Sequence, residues 1–88
     1  MTEILQWEKD ICGMPLWLLQ ENIQELGGTV NGNGCVSGQG WEVHLEPMED
    51  HRVGSLSVGQ VHLRLKAEKE VFTEIQRAIE KKLLRAGG

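Results

Sequence analysis

The residues of this chain that could do chemistry are few and scattered. It carries three histidines, two cysteines and a Gly87-Gly88 ending. A free Gly-Gly carboxylate is the reactive end of ubiquitin-like sulfur carriers, which are adenylated and then thiolated there. The pair follows the helical-looking run Ala67 to Arg85, however, and glycine is also the ordinary residue just past a helix end. With only Ala86 between Arg85 and Gly87, the reach beyond that helix is about 10 Å, short for threading into an adenylating enzyme. A helix stop is the simpler reading, and a carrier terminus at Gly87 and Gly88 is the alternative.

His44, His51 and His62 could gather with Glu42, Glu46, Glu49 or Asp50 around an ion, because outward residues of neighbouring strands approach closely. No pair has HxH or HxxxH spacing, so the group reads as a solvated polar face, and neither a metal nor a cofactor is assigned. Cys12 precedes Gly13 and Cys35 follows Gly34, so either thiol could lie at a turn. Activation needs a neighbouring cation or base that sequence does not display. Cys35 alternates with Val36 and reads as a small core residue. The run Gly32-Asn33-Gly34 lacks the GxxxxGK[ST] form and a helix directly after it, so turns within a sheet explain it better than a phosphate loop. Trp17 lies about 100° around its helix from Leu16, toward Gln20, Glu21 and Gln24. It is either an interface anchor or, with Met14 and Leu18, a widening of the buried face. Trp7 and Trp41 have aliphatic strand partners and read as core.

Several elements must position these groups. Eighty-eight residues make one α+β domain over 1–88, which buries somewhat more than about 60% of its unfolded surface. That suffices for one small core but not for an enclosed active-site cavity. The 40% hydrophobic and 25% charged content is that of a folded protein. A net charge of −4 with dispersed basic residues argues against nucleic acid or an anionic membrane as partner. No signal segment or long apolar run is visible, so the expectation is a cytoplasmic protein with free thiols rather than a Cys12–Cys35 disulfide.

Thr2 to Glu8 reads as a strand with Leu5 and Trp7 on one face, followed by a break at Ile11 to Pro15. Leu16, Leu19, Ile23 and Leu26 have helical spacing, with Pro15 at the entry and Gly27-Gly28 at the stop. Asn31-Gly32-Asn33-Gly34 marks a tight turn. Trp41, Val43 and Leu45 then alternate with Glu42, His44 and Glu46. Pro47 to Arg52 reads as a polar turn and Val53 to Leu65 as a strand pair or one bent strand, with Gly59-Gln60 as a bulge or turn. Glu68 to Arg85 is a second helix with a Phe72, Ile75, Ile79 and Leu83 stripe, widened by Val71 and Ala78. Acidic residues in its first turn and basic ones in its last suit the helix dipole. The order β-α-β-β-β(-β)-α predicts a two-layer sandwich, an antiparallel sheet with both helices on one face. Glu42, His44, Glu46, His62, Arg64 and Lys66 lie on the open face.

The stretch MPLWLLQENIQELGG from Met14 to Gly28, the run RVGSLSVG from Arg52 to Gly59 and the ending LLRAGG together resemble a small bacterial family. It is the C-terminal domain of proteins related to the small subunit of molybdopterin synthase. The resemblance implies a TATA-binding-protein-like fold and an association with molybdenum-cofactor genes. It supplies no functional residues, and a departure from the two-domain arrangement, without a ubiquitin-like half, is the expectation for this chain. The sequence therefore predicts a non-catalytic binding or assembly module, with a protein partner or a second copy of itself and no established ligand. Trp17, His44, His62 and Arg64 are its candidate binding residues. A sulfur carrier, and a small metal- or ligand-binding domain using the open face, are the alternatives.

Overall fold

The computed structural model describes residues 3–32, 34–54 and 56–86, with side chains over all of these except 49–53, 56–58, 85 and 86. The element order is β1 (Ile4–Cys12), α1 (Leu16–Gln24), β2 (Thr29–Val30), β3 (Cys35–Gly38), β4 (Trp41–Val53), β5 (Leu56–Glu68) and α2 (Lys69–Ala86). Among the described residues the five strands form one sheet in the order β1-β5-β4-β3-β2, and every pairing is antiparallel. This is the α+β sandwich that the pattern of periods two and 3.6 predicts.

The inner face is set by strand alternation. Val43 and Leu45 of β4, and Val61, Leu63, Leu65 and Ala67 of β5, are buried, together with Val36 of β3. Leu19 and Ile23 of α1 and Ile79 of α2 join this core, as do Ile11, Met14 and Trp41, with Phe72, Ile75 and Leu83 packed against it. Each fully buried aliphatic side chain contributes about 1.5–3 kcal/mol. Trp41 is buried and Trp7 is partly so. The helices are tied to each other by a 2.7 Å ion pair between Lys82 and Glu25.

The element ends follow local chemistry. Pro15 caps α1 from an extended conformation, ψ 152°, and its carbonyl accepts from the Leu18 and Leu19 amides. Gly27, at φ +99°, closes the helix as expected, with the Gly27 and Gly28 amides donating to the Gln24 carbonyl. In α2, Glu70 occupies the first turn, whereas Glu68 is the last residue of β5, opposite Ile4.

Three expectations change. β1 does not stop at Glu8 but runs to Cys12; Ile11 is buried on the parity of Leu5 and Trp7, and Lys9, exposed on that same parity, had masked the continuation. Pro47 to Arg52 is not a turn. β4 and β5 are thirteen residues each and reverse at Gly54, φ +64°. Pro47 is tolerated because the Leu45 amide points toward β3 and donates to Gly34. Two residues on, the Pro47 nitrogen faces the same side, where β3 has ended, so no ladder bond is lost. Finally, β5 continues through Gly59-Gln60. The irregularity is on β4, where a register shift between Met48 and His51 sets Glu49 and Asp50 opposite Gly59. A pair of strands this long spans about 43 Å and accounts for the 50 Å principal axis.

Candidate functional site

With both helices on one side, the other sheet face carries the polar partners of the core residues. Glu42, His44 and Glu46 of β4 and His62, Arg64 and Lys66 of β5 lie there as expected, exposed or half-buried. The cross-strand pairs are Glu42 with Lys66, His44 with Arg64 and Glu46 with His62. His44 and His62 are thus on adjacent strands but diagonal to each other, and each is engaged elsewhere.

His62 belongs to a cluster with β1. Its Nδ1 lies 2.6 Å from Asp10 Oδ1 and its Nε2 lies 2.9 Å from Glu8 Oε1, while Arg64 Nε donates to the same Glu8 oxygen at 3.3 Å. Asp10 first and Glu8 second hold the imidazolium, raising the His62 pKa above its ordinary value. The His62 hydrogen bond, helped by Arg64, holds the Glu8 carboxyl below its ordinary value. Glu8 and Asp10 escaped the sequence reading because it ended the strand at Glu8. Their shared parity with Gln6 is the signal that places both on the open face.

His44 belongs to a second cluster. Its Nε2 lies 2.9 Å from Glu42 Oε1, and the same oxygen accepts from Cys35 Sγ at 3.7 Å. Cys35 is therefore not a core residue. It stands directly opposite His44, and the buried neighbour Val36 takes the inward position. Desolvation, then the Glu42 charge, pushes the Cys35 thiol pKa up.

The start of β3 is held firmly. The Gly34 amide donates to Gln20 Oε1 of α1 at 3.0 Å, and the Gly34 carbonyl accepts from the Leu45 amide at 2.6 Å. Gly34 is at φ +78°, and a Cβ there would lie 2.3 Å from the Leu45 carbonyl oxygen. Only glycine permits this approach. A shallow depression of about 310 Å³ opens beside Cys35 and His44, with His62, Arg64 and Lys66 on its β5 side.

Trp17 projects from α1 and is 64% exposed, away from both clusters. Cys12 is exposed and Cys35 half-buried, and both are free. β5 and β4 lie between their strands, a separation of about 14 Å or more, beyond disulfide reach. Glu49, Asp50 and His51 lie outside the residues whose side chains are described, and Gly87 and Gly88 outside the described residues altogether. No helix among the described residues is long and apolar enough to cross a membrane.

A family model described as archaeal MoaD-like protein matches residues 7–88. No curated protein matches the chain.

Proposed function

The chain belongs to the archaeal MoaD-like protein family, and from that premise we propose that it is a non-catalytic binding or assembly module serving molybdenum-cofactor synthesis or sulfur transfer. The observation that carries this reading is the division of the sheet. One face is consumed by two helices, while the other presents His44, His62 and Arg64 in ordered polar clusters. Such a surface recognises a partner through charged hydrogen bonds. Trp17 gives the helix layer an exposed aromatic of the kind that anchors interfaces.

In this reading the partner is a protein or a second copy of the chain, not nucleic acid or a membrane, in keeping with the charge of −4. The working compartment is the cytoplasm, where Cys12 and Cys35 stay reduced. The strand–helix–strands–helix order supports a TATA-binding-protein-like architecture, the one that the resemblance to the bacterial C-terminal domains implies.

A second reading, a sulfur carrier, is favoured by one finding: the family match runs through Gly87 and Gly88. Against it, α2 extends to Ala86, so a helix leads into the Gly-Gly pair, whereas in a ubiquitin-like carrier a strand does.

One reconstitution separates them. The chain is incubated with a molybdenum-cofactor adenylating enzyme, ATP and a sulfur donor, then measured by intact mass and by size exclusion with light scattering. A binding module gives a complex or a dimer and an unchanged mass. Exchange of a terminal oxygen for sulfur establishes the carrier instead, and a monomer that binds nothing overturns the module.

A further inference from the structure

We propose that Cys35, Glu42 and His44 form a binding site for a divalent transition-metal ion of zinc type, on the open face of the sheet where β3 meets β4. The proposal stands on placement alone and is independent of the family assignment, so its failure would leave the proposed function intact.

The three side chains each offer one ligand atom, and these atoms all lie within 4.8 Å of one another. Two of the separations are 3.7 Å, from sulfur to the Glu42 oxygen, and 2.9 Å, from that oxygen to the His44 nitrogen. A tetrahedral zinc-type ion bonds sulfur at about 2.3 Å and nitrogen or oxygen at about 2.0–2.1 Å. Those bonds hold ligand atoms about 3.3–3.6 Å apart. The sulfur–oxygen and oxygen–nitrogen separations are thus within about half an ångström of what the ion requires, and the third, bounded by 4.8 Å, needs a closure of at most about 1.2 Å.

The strand register makes the arrangement stiff. Glu42 and His44 are two apart on β4, hence on one face, and Cys35 is the direct partner of His44. Gly34, anchored to both Gln20 and Leu45, fixes the backbone immediately before Cys35. Two cations of β5 face the cluster: Lys66 stands opposite Glu42, whose carboxylate pairs with His44 instead, and Arg64 stands opposite His44 but donates to Glu8 on β1. His62 is likewise held by Asp10 and Glu8. The two acids of β1 thus draw Arg64 and His62 to their own side and leave the β3–β4 side open.

The ligand chemistry suits such an ion. Thiolate, imidazole and carboxylate together select zinc or cobalt over calcium or magnesium. On binding, the Cys35 S–H bond breaks, sulfur keeps the electron pair and bonds the metal, and the proton leaves to solvent; the proton that His44 Nε2 donates to Glu42 likewise leaves that nitrogen, whose freed lone pair bonds the metal while the neutral imidazole keeps its proton on Nδ1. Thiolate and carboxylate then balance the dication. Three protein ligands leave a fourth position, and the depression beside Cys35 and His44 gives it space for water or a small ligand.

The test titrates the reduced full chain with Co²⁺. Saturable growth of a thiolate-to-cobalt charge-transfer band is expected, with bleaching on addition of Zn²⁺. Cys35→Ser should abolish the band, and Glu42→Gln and His44→Asn should each weaken binding by about 100-fold or more. Cys12→Ser and His62→Asn should leave it unchanged. In the unmutated chain, NMR with Zn²⁺ should shift the His44 imidazole signals and not those of His62, a readout that needs no variant to fold. Absence of a saturable band, its survival in Cys35→Ser, its loss in Cys12→Ser, or a shift at His62 instead of His44 would each overturn the site.

Discussion

At residue scale, two glycines with positive φ separate conformational strain from steric collision. Gly27 at φ +99° has nothing within 4 Å of where a Cβ would stand, whereas at Gly34 that atom would lie 2.3 Å from the Leu45 carbonyl oxygen. Gly27→Ala should destabilise by about 1 kcal/mol, the left-handed backbone penalty alone. Gly34→Ala adds a backbone clash and should cost about 3 kcal/mol or more, measurable by urea unfolding. Equal losses would show that β3 moves away from β4 freely. Cys35 follows directly from this pinned turn, and its orientation was legible in principle: once Val36 is read as core, alternation sends Cys35 outward. Cysteine's general preference for burial points the other way, and here the strand period prevails over it.

At element scale, α2 shows how sharply a helix divides its faces. Ile79 is fully buried and Leu84, five positions on, is 78% exposed. Ile79→Ala should therefore cost about 2–5 kcal/mol through lost transfer energy and the cavity left behind. Leu84→Ala should stay within about 0.5 kcal/mol. Thermal unfolding of the two variants checks this, and a comparable loss at Leu84 would mean that something covers it. This stripe was readable because Phe72, Ile75, Ile79 and Leu83 recur at spacings of three and four, which leaves Leu84 outside it although its residue type alone would not. The β4–β5 hairpin was not, because Pro47 and the charged run after it have the composition of a turn. Where the chain reverses is decided by tertiary facts: β3 ends before Pro47, and one extra β4 residue is accommodated opposite Gly59. Neither leaves a trace in local propensity. The open-face set from Glu42 to Lys66 was nonetheless correct, since period two alone determines it.

At the scale of the whole molecule, stability should depend on pH through the cluster that fastens the edge strand β1 to β5. His62 has a raised folded-state pKa because Asp10 and Glu8 hold its imidazolium. Its contribution is complete below the unfolded histidine value of about 6.5 and disappears as pH rises through the higher folded value. Glu8 has a lowered folded-state pKa, chiefly through the His62 hydrogen bond. Its contribution is complete above the unfolded carboxylate value of about 4.3 and disappears as pH falls through the lower folded one. Both are complete only in the weakly acidic window between those two unfolded values. The side chains are partly or well exposed, 26% for His62 and 43% for Glu8, so the effect is modest and screened by salt. His62→Ala should accordingly lower Tm most near about pH 5.5, and the difference from the unmodified chain should shrink as pH rises through the raised folded-state value. It should also shrink at about 1 M salt. A deficit that is constant across pH would mean that His62 acts by packing, and that β1 is held to β5 by its backbone ladder alone.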